Sequence, residues 1–307
     1  MLTHFHKNET LWILGGGTLS ALFYYLQTTS SFFGVFVMFP LALLGLSQGY
    51  RKIILSGTLG ALLVALLSGK ALYAALFLLT NVAPVTVFIR YCLLSRGESK
   101  KIEWYPLGLA LSALAAYGLL FCIVHDYFLA PSLKIEIATA LKRLEAQATG
   151  AQQEVFIATF KLIERITSGM STISITIWTL LSCYVSERLL VKNKYQIRPM
   201  PTINELTLAW WLWIAFALSG TFAFVFNNTL ANLSLNIFVF LGFIFFLHGL
   251  SIVHYCLNRS KNPRLNLLLF YGSMLLLGWI IVSLVVLLGL FEPWVNSREK
   301  LSKKLGS

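Results

Sequence analysis

Four side chains invite a chemical reading: His248, His254, Glu187 and Arg188. Each lies in or at the end of a long apolar run. An ionisable group in lipid is costly unless partnered, so each is a candidate site by default. His248 and His254 are six residues apart, and six residues turn a helix by about 600°, leaving the two rings about 120° apart. They cannot both ligate one metal ion unaided, and no nearby acid or cysteine completes a donor set. His248 and Tyr255, seven residues apart, share a face. Glu187 and Arg188 close one apolar run at the depth expected for His254, so a Glu187–His254 contact is the pairing to look for. His125 and Asp126 end another run and read as solvated interface residues. Structural anchoring is the plainer expectation for all of these groups.

The motifs of most soluble-type chemistry are missing. No zincin helix, Walker loop, Gly-x-Ser-x-Gly elbow or haem-attachment motif occurs in the chain. Cys92, Cys122, Cys183 and Cys256 are far apart and form no C-x-x-C pair, so they read as small packing residues. The sequence therefore predicts no catalytic residue, no metal, no cofactor and a protein that is not an enzyme. An intramembrane enzyme using His248, His254 or Glu187 is the least expected reading.

The elements that must hold these groups are set by hydropathy. The 307 residues are 57% hydrophobic and only 12% charged, with a mean hydropathy of +0.76. A soluble domain could not hide so much apolar surface, whereas lipid accepts it. Nine candidate spans follow: Leu11–Gln27, Phe32–Leu46, Ile53–Gly69, Ala71–Leu94, Trp104–Tyr127, Met170–Leu190, Leu206–Phe226, Leu233–Cys256 and Leu265–Leu290. The expected fold is all-α, a polytopic transmembrane bundle of about nine helices, range 8–10. Pro40 and Pro84 fall inside spans, where each removes a backbone donor and predicts a kink. No small-residue cleavage site closes a short apolar region after His4, His6 and Lys7, so the first helix is expected to stay in the mature protein.

The net charge of +12 reads as cytoplasmic loops rich in Lys and Arg rather than as affinity for nucleic acid. A cytoplasmic N-terminus places Lys7, Arg51, Lys52, Arg90, Arg96, Lys192, Lys194, Arg198, Arg259, Lys261 and Arg264, among others, inside. The tail is the exception. With nine spans Arg298, Lys300, Lys303 and Lys304 fall outside, where such a cluster is disfavoured. Either one span is miscounted or the tail breaks the rule.

Between the fifth and sixth spans the pattern changes. Leu133, Ile137, Leu141, Leu144 and Ala148 form one helical stripe, and Val155, Phe156, Leu162, Ile163 and Ile166 form a second after Gly150. Two amphipathic helices broken near Gly150, lying on the outer surface or over the bundle mouth, are expected. The domain plan is then a five-span bundle over 1–128, an amphipathic insertion over 129–169 and a four-span bundle over 170–307.

Packing signals complete the reading. Gly57, Ala61, Ala65 and Gly69 recur every four residues and make a small-residue groove, used either inside the bundle or by a partner helix. Gly108, Ser112 and Ala116 repeat the spacing. Gly15, Gly16 and Gly17 imply close backbone approach or local unwinding. Trp104, Trp210, Trp211 and Trp213 read as interfacial belts.

The stretch Gly249–His254, then Arg264, then Leu288-Gly289-Leu290-Phe291-Glu292-Pro293-Trp294 and Arg298, resembles the C-terminal region of the YybS-like family of bacterial membrane proteins. Arg198-Pro199, Phe39-Pro40, Gly49 and Arg51 resemble it too. The family pattern has Asp where this chain carries Glu292. The family's N-terminal half is distantly similar to substrate-binding S components of energy-coupling factor transporters. That resemblance implies helices that bind a small molecule and dock on a partner through small-residue grooves. The expected function is thus small-molecule binding or a transport-related role in the inner membrane. The alternative is a membrane scaffold in cell-envelope assembly. Partners would be the lipid bilayer, a small-molecule ligand or another membrane protein, and not nucleic acid.

Overall fold

The computed structural model describes residues 9–27, 33–97, 102–129, 139, 151–195, 197–199, 206–227, 229–296 and 298. Ten helices dominate the described residues. They are α1 Glu9–Gln27, α2 Gly34–Gln48, α3 Tyr50–Ser68, α4 Ala71–Cys92, α5 Leu107–Leu129, α6 Ala151–Asn193, α7 Trp211–Val225, α8 Thr229–Leu257, α9 Pro263–Leu277 and α10 Trp279–Val295. A two-residue antiparallel ladder, β1 Ser95–Arg96 with β2 Glu103–Trp104, closes the α4–α5 connection. Helices α3, α4, α5, α6 from Leu162, and α8 are long and apolar enough to cross a membrane. Helices α2, α7, α9 and α10 are shorter and apolar. The chain is an all-α, multi-pass membrane protein.

Two compact units divide it, one of 1–117 with 174–201, the other of 118–173 with 202–307. These bounds differ from the three-part plan because α5 and α6 each serve both units. The second amphipathic stripe is no separate surface helix. Helix α6 is one continuous helix of 43 residues that runs through Gly169 into the sixth span. The first stripe, Leu133–Ala148, lies outside the described residues.

The first unit is organised by close backbone approaches. On α1, Gly17 lies against the Ser56 carbonyl and Gly60 backbone of α3, and Gly60 in turn faces the Gly17 carbonyl at 2.9 Å from where its Cβ would stand. Ser56 Oγ donates to the Ile13 carbonyl at 2.9 Å. Gly16 and Gly17 are therefore a crossing point in an unbroken helix. Two helices in lipid associate by such contacts because hydrophobic burial between them gains nothing. Gly57 packs on Val82 and Ala61 is buried. Gly69 is exposed and caps α3 at φ +67°. The small-residue groove is thus used internally along its first half.

Val82 ends a π-helical segment of α4, Leu78–Val82, just before Pro84. Proline cannot donate to the carbonyl one turn back and its ring crowds that carbonyl, so the helix widens there. The Tyr117 hydroxyl donates to the Leu79 carbonyl inside this segment.

Helix α6 packs on α2 through hydroxyls. Ser182 Oγ donates to the Val35 carbonyl at 2.9 Å and Ser186 Oγ to the Phe39 carbonyl at 3.4 Å. In the second unit the same helix gives Ser168 Oγ to the Cys122 carbonyl at 3.1 Å. Ser168, Thr172, Thr176, Thr179, Ser182 and Ser186 are all buried, at helical spacings of four, four, three, three and four. Hydropathy hides this polar stripe, since Ser and Thr barely lower the score of a span. The Asn236 carboxamide spans one rung of α6, accepting from Gly169 N–H at 2.7 Å and donating to the Arg165 carbonyl at 3.0 Å.

The ninth span is two helices. Gly278 (φ +49°, ψ −117°) separates α9 from α10 in a conformation only glycine adopts readily. Trp213 and Phe216 of α7 meet Phe245 of α8, and Gly220 meets Phe238, so α7 and α8 are antiparallel. Trp213 also bonds the Leu290 carbonyl while Leu206 bonds Arg298, so α7 and α10 are antiparallel. Helices α8 and α10 are therefore parallel. Arg298 shares the end of the unit that carries Arg259, Lys261 and Arg264. Lys300, Lys303 and Lys304 lie outside the described residues.

Candidate functional site

Of the four residues singled out for chemistry, the structure places Glu187 and Arg188 in the first unit and His248 and His254 in the second. His254 Nε2 lies 2.7 Å from the Tyr271 hydroxyl, which ties α8 to α9. Arg188 is exposed, donates from Nε to the Tyr184 hydroxyl at 3.1 Å and stacks on that ring. Glu187 is half-buried within the electrostatic reach of Arg198 and Arg188. Arg198, one residue before Pro199 in a connector, turns out to be buried and donates to the Cys92 carbonyl at 2.6 Å. Its fork closes the end of α4, where the last carbonyls have no helical donor.

His248 has a definite task. Pro293 lies four residues after Gly289 in α10 and has no N–H, so the Gly289 carbonyl loses its helical donor. His248 Nδ1 lies 2.8 Å from that oxygen. A carbonyl only accepts, so the proton is on Nδ1. The ring reaches the oxygen because α8 and α10 cross at glycines: Gly249 faces the Val285 carbonyl and Gly289 faces the Phe245 carbonyl. Trp213 closes the arrangement, edge-on to His248 and donating to the Leu290 carbonyl at 2.7 Å. Trp213 was expected in an interfacial belt. Its indole N–H instead bonds the backbone of α10 one residue after the Gly289 carbonyl that His248 serves. Trp210 remains exposed.

Beside this crossing the chain after α10 folds back. Arg298 donates to the Leu206 carbonyl at 3.1 Å and to Ser251 Oγ at 2.7 Å, and its own N–H donates to Glu292 Oε1 at 3.2 Å. Glu292 is buried. His248, Ser251, Glu292 and Arg298 thus form one polar cluster at the end of the second unit. Apart from the Arg298–Glu292 bond, which folds the chain back on the end of α10, these hydrogen bonds reach a neighbouring helix or its loop, so the cluster pins helices. Among the described residues, no three His, Cys, Asp or Glu side chains gather closely enough to hold a metal ion.

This assignment predicts a specific rescue. His248→Phe should destabilise the protein by about 1–3 kcal/mol, the cost of a buried carbonyl left without a donor. Pro293→Ala restores the helical N–H for that carbonyl and should recover most of the loss in the double variant. Thermal midpoints of the detergent-purified proteins decide it. Equal losses with and without Pro293→Ala would contradict the pairing.

His125, expected at a solvated interface, is buried against Phe121 four residues earlier. It stands at the start of the π segment His125–Leu129 that ends α5. The ring lies against Phe121, one turn back on the same helix, rather than out at the surface. Cys92, Cys122 and Cys183 are buried and Cys256 is half-buried, all unoxidised.

A concave feature belongs to the first unit. A groove of about 750 Å³ runs between α1, α2 and the end of α6. Trp12, Gly15, Gly16, Leu19 and Phe23 line one wall, and Phe36, Phe39, Pro40, Leu43 and Ser47 the other. Leu189, Leu190, Asn193 and Tyr195 close the third side. Its volume is that of an ordinary ligand cleft. The lining is almost wholly apolar, and Ser47, Asn193 and Tyr195 gather at one end. Leu11, Leu19 and Leu189 are exposed along it, so it opens at the surface of the unit. Gly15 has nothing within 4 Å of where a Cβ would stand. The glycine there keeps the groove open without serving a helix contact.

The family model described as predicted membrane protein, DUF2232, matches residues 18–292. The chain belongs to this family. The match takes in most of both units of this DUF2232 protein, including the α3 side of the glycine crossing, the groove wall from Leu19 onward and the α8–α10 crossing up to Glu292, while Leu11, Trp12 and Gly15–Gly17 precede it. No curated protein and no solved structure matches the chain.

Proposed function

We propose that this DUF2232 protein binds an apolar or amphiphilic small molecule in the groove of its first unit and serves a transport-related role in the inner membrane. The observation that carries the reading is the groove itself: about 750 Å³, aromatic-walled, and polar at one end only. Such a lining suits a ligand that is mostly hydrocarbon or aromatic and offers little to an ion, which needs replacement of its hydration shell. The resemblance to the YybS-like family, and through it to S components of energy-coupling factor transporters, points the same way by analogy. The reading contains no catalytic step and calls for no cofactor. A cytoplasmic N-terminus follows from the basic loops.

The scaffold reading takes the small-residue stripes, Gly57, Ala61 and Ala65 among them, and the amphipathic helices as docking surfaces. Val82 already fills that face at Gly57, which favours the ligand reading over it.

Gly15→Leu tests the proposal. The side chain enters open space in the groove, and leucine favours a helix over glycine by roughly 0.8 kcal/mol, so folding is not at risk. Solvent extraction of the purified full chain, followed by mass spectrometry, should recover a bound non-protein molecule near one equivalent. The variant should lose it at least about tenfold, the effect of removing a ligand's main contact surface. Equal recovery from both proteins would exclude the groove. Recovery of a second polypeptide and no small molecule would favour the scaffold.

A further inference from the structure

We infer that the occupant of the groove is one hydrocarbon chain of an anionic membrane lipid, its headgroup held at the Ser47–Asn193–Tyr195 end. This rests on the groove-binding reading and specifies its ligand. Three observations carry it. The first is length. The α1 wall runs from Leu11 to Phe23, twelve residues or about 18 Å of helix. One leaflet of a hydrocarbon core about 30 Å thick is about 15 Å deep, so the groove matches a single lipid chain reaching the midplane. The second is polarity. Hydrogen-bonding side chains stand at one end, as a headgroup requires, while Phe23 and Phe36 close the other.

The third is charge. Lys192 and Lys194 flank Asn193, and Arg51 and Lys52 open α3 four and five residues after Ser47. Lys52 pairs with Glu9, and Glu187 stands by Arg198 and Arg188. Arg51, Lys192 and Lys194 are exposed, and none has a carboxylate partner among the described residues. Next in the chain to the residues of the groove's polar end thus stand three exposed cations, a basic rim with no carboxylate partner among the described residues. A negative headgroup is complementary to that rim, and a zwitterionic one is not.

Basic residues near a membrane also gather anionic lipid without any groove, and the experiment must separate the two. The full-length protein is equilibrated with vesicles of equal dioleoylphosphatidylglycerol and dioleoylphosphatidylcholine, extracted in mild detergent and examined by native mass spectrometry. The wild type should retain about one lipid, with phosphatidylglycerol enriched about tenfold. Arg51→Gln with Lys192→Gln and Lys194→Gln should keep the lipid count and lose the enrichment. Gly15→Leu should lose the retained lipid of both kinds. Retention of both lipids equally by the wild type, or enrichment unchanged in the triple variant, overturns the anionic assignment and leaves groove binding standing. Enriched lipid undiminished in Gly15→Leu overturns it as well, because the rim would then act without the groove. No lipid retained by the wild type overturns both readings.

Discussion

Replacing Gly289 with leucine should leave almost no protein that elutes as a single folded species, while Gly272→Leu should leave the yield unchanged. Both glycines lie inside helices, α10 and α9, and helix propensity alone predicts the same small gain at each, roughly 0.8 kcal/mol. Their surroundings differ. Nothing lies within 4 Å of a Cβ at Gly272. A Cβ at Gly289 would stand 2.6 Å from the Gly249 nitrogen and nearer still to the Phe245 carbonyl. These are backbone atoms of a helix and cannot turn aside. Larger side chains must push α8 and α10 apart, which breaks the His248–Gly289 hydrogen bond and withdraws Trp213 from the Leu290 carbonyl. A cost of about 4 kcal/mol or more is expected, against a total stability commonly of about 5–15 kcal/mol. Gly249→Leu should behave alike, because the approach is reciprocal. Size-exclusion profiles of fluorescent fusions before and after a heat step measure all three. A Gly289→Leu protein that survives like Gly272→Leu would mean that the helices do not cross there.

The second large effect is the side of the membrane on which the C-terminal end lies. Peptide tags inserted in the 258–262 loop and appended after residue 307 are expected to share one side, and a tag beside Gly278 the other. The result is all-or-none. A nine-span count would put the two outer tags on opposite sides, with α9 and α10 crossing as one helix. The parallel course of α8 and α10 requires instead that the chain turn at Gly278 and return. With the loop Arg259–Arg264 inside, Arg298 is inside too, and the basic tail ceases to offend the charge rule. Protease protection in right-side-out membranes, read with antibody to each tag, is the measurement. Protection of the loop tag together with cleavage of the C-terminal tag would refute the turn.

The ninth apolar run, which folds as two helices, shows where hydropathy stops informing. The run from Leu265 to Leu290 is apolar throughout, and in the sequence Gly278 looks no different from Gly272 and Gly289, which lie inside helices. Only its left-handed backbone distinguishes it, and that is a property of the folded chain. Gly15, Gly16 and Gly17 make the same point at higher resolution. The sequence marks all three as unusual, yet Gly16 and Gly17 admit α3 while Gly15 faces the groove. His248 was visible as a costly group in a span. Its task was not, because the oxygen it serves is orphaned by Pro293, forty-five residues on. His125 looked like an interface residue from its place at the end of a run, and burial reversed that. Arg198 looked like part of a connector and proved to be a buried cap on α4.

What the sequence settled by itself is the solvent and the kind of element. Hydropathy accumulates over twenty or so neighbours, and in lipid every backbone group must find its partner locally, so apolar runs become helices whatever surrounds them. It also flagged the ionisable groups that needed partners and the glycines that needed neighbours. Tertiary structure alone decided who those partners were: which helix faces which, where an apolar run reverses, and where three walls enclose a groove. The reason is physical. Transfer into lipid is a sum over single residues, whereas close approach and hydrogen bonding between helices depend on pairs far apart in the chain, and no local property encodes a pair.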